Sequence, residues 1–316
     1  MNNTKTYHRV IFYTALALIA TILIGSIYMV EYALTPEVYD EKTELEQHFK
    51  EYPWQKEWTD SIITNGLLRD TFLLNENEQK MHAIYLPAPT PTTRTAVLVH
   101  GYKDCAMRML RYAYFYNKDF NYNILIPDLH AHGKSEGSAI QMGWLDRLDV
   151  MRWIEVANTM FKSQNNIVVH GLSMGAATTM MLSGEEAVQS QVRCFIEDCG
   201  YTSVWDEFKS ELWNQFSLPA FPILYTASWV CELRDGWNFK EASALDQVRK
   251  CTRPMLFIHG DDDDFVPTDM VIPLYEAHHG PKQIWITKGV AHAESYADYP
   301  EEYTDTIKQY LNKYMK

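Results

Sequence analysis

Short apolar runs alternate with longer amphipathic stretches from about residue 95 onward. The apolar runs predict strands near 95–100, 123–127, 166–170, 193–198, 254–259 and 283–287. The amphipathic stretches predict helices near 106–118, 141–163, 174–189, 268–279 and 299–315. Alternation of this kind predicts a mostly parallel, doubly wound α/β sheet. Two earlier runs, 67–74 and 80–86, flank the turn 75–78 and predict an antiparallel pair, which brings the expected sheet to eight strands.

The N-terminal pattern is different, because Val10 to Val30 contains 21 residues without a charge. At ~1.5 Å per residue, a helix of that length spans the ~30 Å hydrocarbon core of a bilayer. Lys5 and Arg9 precede the run and acidic residues follow it, so the basic side is expected to stay cytoplasmic. We therefore expect a single-pass protein of the cytoplasmic membrane, with its main domain on the outer side. Secretion after signal cleavage is the alternative, disfavoured by the length of the run and the lack of an A-x-A site.

The boundaries expected from this pattern are a membrane anchor or uncleaved signal over 1–31, a juxtamembrane helical stalk over 32–66 and a main domain over 67–316. The chain of 316 residues carries 28 Lys and Arg against 41 Asp and Glu, a formal net charge of −13. This balance argues against a nucleic-acid partner, since phosphate binding needs a basic face. Five cysteines, an odd number, suggest isolated buried thiols rather than a disulfide framework.

A G-x-S-x-G pattern, Gly171 to Gly175, follows the strand near 166–170 and precedes a run of small residues. This pattern on a strand-to-helix turn is typical of a nucleophile elbow, which makes Ser173 a candidate nucleophile. A serine hydroxyl needs a base and an orienting carboxylate to become reactive. The loops after two later strands supply candidates for both.

Asp263 lies in a run of four aspartates after the strand near 254–259, and His292 follows the last strand. Carboxyl ends of parallel strands share one edge of a sheet, so both are expected to meet Ser173 there. Asp198, at the end of an earlier strand, is the reserve candidate for the acid. Neither the aspartate run nor His130 and His132 shows ligand spacing typical of a metal site, so no metal is expected.

Several motifs in a fixed order resemble those of serine hydrolases of the alpha/beta-hydrolase superfamily, near the bacterial esterase, serine aminopeptidase and monoglyceride lipase branches. The matching segments are His100-Gly101, Asp128 with 133–137, 171–175, 259–267 and Ala291-His292. The resemblance implies the alpha/beta-hydrolase fold, an eight-stranded, mostly parallel sheet with a helical cap insertion. It also implies Asp263 as the acid, being the fifth residue of the H-G-x-x-D-x-x-V-P pattern. In this layout the oxyanion hole is formed by the backbone N–H groups of Tyr102 and Met174.

The segment between the strands ending near 198 and beginning near 254 is longer than one crossover helix needs, and it is rich in aromatic residues. The resemblance places a cap at about 201–240. Plain packing of extra helices on the sheet is the alternative. An aromatic cap favours an apolar acyl or aryl group in the substrate. Trp213 and Phe216 are among the aromatics expected to line the acyl pocket.

These residues predict a serine hydrolase that cleaves carboxylic esters through a Ser-Asp-His triad and an acyl-enzyme. A small serine peptidase with the same triad is the alternative, and a non-catalytic binding protein on this fold is a third possibility. Acyl transfer needs no cofactor, and none is expected. The expected partners are a small-molecule ester or acyl substrate with an apolar group and, through the N-terminal helix, the lipid bilayer. Patterning leaves the natural substrate and the oligomeric state open.

Overall fold

A computed structural model describes the backbone of residues 2–315 and the side chains of residues 6–315. The strands are β1 (Arg69–Leu74), β2 (Lys80–Leu86), β3 (Thr95–Val99), β4 (Asn123–Pro127), β5 (Ile167–Leu172), β6 (Val192–Asp198), β7 (Met255–Gly260) and β8 (Lys282–Thr287). The helices are α1 (Asn2–Leu34), α2 (Glu41–Glu51), α3 (Lys56–Thr64), α4 (Leu110–Tyr114), α5 (Asp146–Phe161), α6 (Met174–Ser183), α7 (Glu186–Gln189), α8 (Val204–Phe216), α9 (Ile223–Asp235), α10 (Ala244–Val248), α11 (Val271–Ala277), α12 (Ser295–Asp298) and α13 (Pro300–Tyr314).

The eight strands form one sheet in the order β1-β2-β4-β3-β5-β6-β7-β8. β2 runs antiparallel to both of its neighbours, and every pairing from β4 to β8 is parallel. The prediction of an eight-stranded, mostly parallel, doubly wound sheet is confirmed. The parallel strands β3 to β8 therefore all end at the same edge of the sheet, where the loops after β3, β5, β7 and β8 come together.

Two apolar cores lie on opposite faces of the sheet, because side chains alternate along each strand. In β3, Val97 and Val99 belong to one core together with Trp153 of α5. Ala96, which points the other way, belongs to the second core together with Tyr303 of α13. The strands near the centre are buried on both sides, as parallel strands covered by helices are. A rigid sheet of this kind fixes the positions of the loops at its carboxyl edge.

The N-terminal helix α1 is 33 residues long and changes environment along its length. The side chains of residues 6–21 are exposed, whereas Ser26, Val30 and Leu34 are buried at i, i+4 spacing. By length and composition, residues 6–34 are able to cross a membrane or serve as a signal sequence. The boundaries at residues 31 and 66 stay a prediction.

Helices α2 and α3 lie against the flank of the sheet domain. The Gln55 side chain between them is buried and donates to the carbonyl oxygen of Arg111 (3.1 Å) and to the Tyr296 hydroxyl (3.0 Å). Tyr52 and Ile62 join the core on that face of the sheet. The segment after α1 is therefore folded onto the domain.

Candidate active site

Ser173 is the single residue between β5 and α6, and its backbone angles are φ 56° and ψ −120°. This positive φ is strained for a residue with a Cβ, and the surrounding packing must enforce it. The glycines explain how the turn fits. A Cβ on Gly171 would overlap the Gly175 carbonyl, and a Cβ on Gly175 would overlap the carbonyl oxygen of Val99. The turn of chain around Ser173 is thus too tight for any side chain at these two positions.

Ser173, His292 and Asp263 form a continuous chain of hydrogen bonds. The Ser173 Oγ lies 2.8 Å from His292 Nε2, and His292 Nδ1 lies 2.7 Å from Asp263 Oδ2. The three residues come from the loops after β5, β8 and β7, at the shared carboxyl edge. We call these three loops the serine edge. In this geometry the imidazole is placed to accept the serine proton while the carboxylate holds its other nitrogen.

The Asp263 carboxylate is buried and well supplied with donors. Its Oδ1 accepts the N–H groups of Phe265 (3.1 Å) and Val266 (2.9 Å), and His259 Nε2 lies 3.3 Å from Oδ2. Burial by itself would raise its pKa, but hydrogen bonds from His259 and His292 lower the pKa of Asp263 to about 2. The group is therefore an anion at neutral pH, as an orienting carboxylate must be.

The neighbouring acids have other surroundings. Asp261, Asp262 and Asp264 are exposed, so Asp263 alone of the four-aspartate run is buried. Asp198, the reserve candidate, accepts the Tyr303 hydroxyl at 2.8 Å, and burial raises its pKa to about 6. Its backbone carbonyl accepts the Ser173 N–H at 2.8 Å. The structure thus brings Asp263 to the imidazole and places Asp198 behind the serine.

The two predicted oxyanion donors lie beside Ser173. Met174 occupies the first turn of α6, where backbone N–H groups have no acceptor within the helix. Tyr102 lies in the turn after β3, and both residues line the same cavity as Ser173. A Cβ on Gly101 would come within 3.4 Å of the Ser173 Cβ, so that turn touches the serine directly. Their role as donors to an oxyanion stays a prediction.

The turn after β3 is held by a histidine whose importance the sequence did not reveal. His132 Nε2 accepts the Lys103 N–H at 3.2 Å, and His132 Nδ1 lies 2.8 Å from the His130 carbonyl oxygen. Burial lowers the pKa of His132 to about 3, so its ring is neutral and Nε2 is free to accept. Patterning predicted only that no metal binds here. The contact with the loop that carries Tyr102 follows from the fold.

A cavity of about 160 Å³ lies directly over Ser173. Its upper side is built by α8, α9 and the last turns of α1, which we call the roof. The apolar side chains that the roof contributes are Met29, Val30, Ala33, Phe208, Leu212, Phe216, Ile223, Leu224 and Ala227. An apolar cavity of ~150 Å³ holds a molecule the size of benzene, so this one fits a small to medium acyl group.

Two features of the roof differ from what patterning suggests. Trp213 does not line the cavity and is 60% exposed, because it lies on the outer side of α8, whereas Phe216 does line it. The expectation for Trp213 is wrong. The contribution of Met29 to Ala33 is new, since the apolar run around them predicts only a helix. Ser26, Val30 and Leu34, which are buried at i, i+4 spacing, form the face of α1 that packs on the domain. The sequence does not distinguish this face, because Val10 to Val30 is apolar all round.

Cys199 is a further neighbour of the serine edge that patterning did not find. All five cysteines are buried, unpaired thiols, and the Cys199 sulfur lies within 4.8 Å of ligand atoms of Asp263 and His292. Metal ligation needs the thiolate, but burial raises the pKa of the Cys199 thiol well above its usual range. The cluster is therefore better suited to proton transfer between His292 and Ser173 than to holding a metal.

Comparison with known proteins identifies the family. Residues 141–316, more than half of the chain, match the prolyl oligopeptidase family. The chain belongs to the prolyl oligopeptidase family. This family member is similar to the uncharacterized protein YqkD of Bacillus subtilis, with 30% identity over 228 residues. The aligned region covers 72% of this chain and 74% of YqkD.

Solved structures agree on the fold of this family member. The Pyrococcus furiosus esterase Pf2001 superposes with a TM-score of 0.64 at 21% identity, over 79% of this chain and 93% of that chain. The Pyrococcus horikoshii acylaminoacyl peptidase superposes with a TM-score of 0.57 at 16% identity, over 81% of this chain and 44% of that chain. The resemblance to the alpha/beta-hydrolase superfamily is confirmed. The chain is a hydrolase-family protein with both esterase and peptidase structural neighbours.

Proposed function

We propose that this chain is a serine esterase that cleaves carboxylic esters with Ser173 as nucleophile, His292 as general base and acid, and Asp263 as orienting acid. One observation carries the proposal. The hydrogen-bonded chain from Ser173 through His292 to an ionised Asp263 lies at the floor of an apolar cavity. No cofactor enters the chemistry, because acyl transfer proceeds on protein groups alone.

The reaction begins when Ser173 Oγ attacks the ester carbonyl and His292 Nε2 takes its proton. The carbonyl oxygen becomes an oxyanion between the N–H groups of Tyr102 and Met174, each worth ~3 kcal/mol of transition-state stabilisation. Collapse expels the alcohol, which receives the proton from His292. Water activated by the same imidazole then hydrolyses the acyl-enzyme and regenerates Ser173.

The lining of the cavity favours an ester over an aminoacyl substrate. Glu207 is its one buried acid, and burial raises the pKa of Glu207 well above the usual range. A carboxyl group whose charged form is disfavoured, among mostly apolar side chains, suits a neutral acyl group. The third possibility, a binding protein without activity, is disfavoured because the three residues of the serine edge are all present and hydrogen-bonded.

A small aminopeptidase-like peptidase is the second candidate, and Glu211 is the observation in its favour. Glu207 and Glu211, one helical turn apart on α8, both line the cavity. A substrate ammonium group entering the cavity would meet both carboxyl groups and would favour their ionised forms. The family's peptidase members are consistent with this candidate.

The membrane assignment is part of the proposal. We infer that α1 remains attached and anchors the protein in the cytoplasmic membrane with the sheet domain outside. The charge difference across the uncharged run Val10 to Val30, with Arg9 before it and Glu31 and Glu37 after it, supports this orientation. Recovery of a soluble mature form that lacks the first ~30 residues would show a cleaved signal sequence instead.

The test is a panel of p-nitrophenyl esters set against aminoacyl p-nitroanilides, with Ser173→Ala and Glu211→Gln as variants. We expect kcat/KM for esters to exceed that for anilides by orders of magnitude, to vanish in Ser173→Ala and to change little in Glu211→Gln. An anilide preference that is lost in Glu211→Gln would establish the peptidase. Equal ester turnover by Ser173→Ala would refute both candidates.

A further inference from the structure

The end of α1 is a wall of the candidate active site as well as the end of an apolar helix. Met29, Val30 and Ala33 line the same cavity as Ser173, although more than 130 residues separate them in the chain. Val30 is buried against the domain, and Leu34, one turn on, is fully buried. Since residues 6–21 are exposed along their whole length, the helix has an exposed part and a part that is built into the domain.

Specific polar contacts join this part of α1 to the helices of the roof. The Ser26 hydroxyl donates to the Ile223 carbonyl (3.3 Å) and is hydrogen-bonded to the Thr226 hydroxyl. The Tyr32 hydroxyl donates to the Gln215 side chain at 3.0 Å. These contacts fix the height and the rotation of α1 relative to α8 and α9, which apolar packing alone does not do.

Tyr102 links the helix to the candidate oxyanion hole. Its hydroxyl donates to the Ala33 carbonyl at 2.6 Å, while its backbone N–H is the predicted donor to the oxyanion. The Leu34 carbonyl is also occupied, because it accepts the Ile140 N–H at 2.8 Å. The carbonyl groups of Ala33 and Leu34, which have no partners within the helix, are thus satisfied by the domain. The end of α1 and the loop that carries Tyr102 are therefore directly connected.

The length of α1 sets the depth of the cavity relative to a bilayer. Twenty residues at ~1.5 Å each cross the ~30 Å hydrocarbon core, and counting from Arg9 this places Met29 at the outer boundary. α9 runs parallel to α1, since Ser26 contacts its first turn and Glu31 pairs with Arg234 in its last turn at 2.6 Å. The first turn of α9 is therefore the part nearest to the membrane.

The residues at that level are suited to a membrane interface. Phe221 is 73% exposed and Trp229 is 54% exposed, and the half-exposed Tyr225 between them contacts the rings of Phe221 and Trp205. Aromatic side chains concentrate at the boundary between lipid and water. These exposed rings lie on and just before α9, the helix that packs beside α1, so the bilayer that holds α1 is the occupant that would cover them.

We propose that the acyl pocket is completed by α1 and opens at the outer surface of the bilayer, so that the substrate is a membrane-borne amphiphilic ester whose acyl chain enters along α1. This rests on the proposed esterase activity. The enclosed cavity accepts the carbons next to the ester, and the polar leaving alcohol stays at the level of the lipid headgroups. The anchor thereby delivers substrate and also selects it.

The first test changes the wall in the full-length protein. Ala33→Trp places an indole in the cavity, whereas the control Ile24→Trp adds the same group on the opposite, 68% exposed face of the helix. We expect the ratio of kcat/KM for p-nitrophenyl octanoate to that for the acetate to fall at least tenfold in Ala33→Trp and to stay unchanged in Ile24→Trp. An unchanged ratio in a folded, fluorophosphonate-reactive Ala33→Trp protein would overturn the inference and leave the esterase assignment intact.

If Ala33→Trp does not fold, Met29→Ala replaces it, because removing that side chain enlarges the cavity. The preferred acyl chain should then lengthen, and an unchanged chain-length profile counts against the wall. Failure of the wild-type protein to hydrolyse any ester or to react with fluorophosphonate would instead refute the proposed function itself.

The second test addresses entry from the bilayer. The double variant Phe221→Ser, Trp229→Ser changes exposed residues that do not line the cavity. In phosphatidylcholine vesicles we expect it to hydrolyse a vesicle-borne monoacylglycerol at least fivefold more slowly than the wild type, with equal rates on soluble p-nitrophenyl acetate. Equal rates on both substrates, or an equal loss on both, would contradict entry along α9 and α1.

Discussion

The serine edge and the roof enclose the same cavity but are built in different ways. The serine edge consists of three short loops that follow β5, β7 and β8, and hydrogen bonds of 2.7–2.8 Å join their side chains. The roof consists of helices from two distant parts of the chain, joined by apolar contact and a few polar bonds such as Tyr32 to Gln215. The positions of the hydrogen-bonded side chains are closely fixed at the serine edge, whereas the apolar packing of the roof can accept side chains of other shapes. Substitutions at the edge should therefore abolish chemistry, and those in the roof should redirect it.

The largest expected effect separates Asp263 of the serine edge from Asp198, the last residue of β6. Asp263→Asn should lower kcat about 10⁴-fold, because the amide no longer stabilises the correct tautomer and the charge of His292. Asp198→Asn, the matched control, should cost far less, since the Asp198 side chain is held by Tyr303 and not by the imidazole. The check is steady-state hydrolysis of p-nitrophenyl butyrate by both proteins. A crippled Asp198→Asn beside a mild Asp263→Asn would reverse the assignment.

The second effect is on stability at the elbow. Gly175→Ala forces a Cβ against the carbonyl oxygens of Val99 and His100, which are backbone atoms at the end of the central strand β3 and just after it and cannot move aside. We expect a loss of about 3 kcal/mol in the free energy of unfolding, typical of overpacking. Gly25→Ala, where a Cβ would meet nothing within 4 Å and the backbone is helical, is the comparison outside the serine edge. Denaturant titration of both variants measures the difference, and equal losses would contradict the steric account of the elbow.

The third effect belongs to the roof. Phe216→Ala removes a ring that lines the cavity, whereas Trp213→Ala removes an exposed ring from the same helix. We expect Phe216→Ala to shift the preferred acyl chain length by about tenfold in relative kcat/KM, roughly 1.4 kcal/mol. Trp213→Ala should leave the profile unchanged. A loss of stability in proportion to activity, with the profile intact in both, would mean that α8 is ordinary core packing.

The smallest effect is the pH dependence of the roof. Burial raises the pKa of Glu207 well above 4.5, so the folded protein keeps a proton that the unfolded chain releases. Stability from this group is therefore complete below pH 4.5 and is lost as the pH rises above that value. Relative to Glu207→Gln, the wild type should become progressively less stable as the pH rises from 5 to 7. Thermal unfolding midpoints across this range would show it, and parallel curves for the two proteins would contradict a protonated Glu207.

The difference between the two regions also explains what the sequence could predict. The strand ends and the elbow depend on local patterns, so β5, Ser173 and the turn after it were placed correctly. The rule that parallel strands end at one edge predicted that Asp263 and His292 lie near Ser173, whereas the choice of Asp263 within its run of four aspartates came from the resemblance. The wall formed by Val30 and Ala33 was not predictable in this way. Apolar side chains are equally suited to lipid and to protein, and only the folded chain distinguishes Val30 from the exposed Ile27.

Covalent mapping of the nucleophile tests the central claim most directly. The full-length protein is treated with a fluorophosphonate, digested and analysed by mass spectrometry, beside a Ser173→Ala variant. We predict a single adduct on Ser173, formed in the wild type and absent from the variant. An adduct on another residue, or undiminished labelling of Ser173→Ala, would contradict the account.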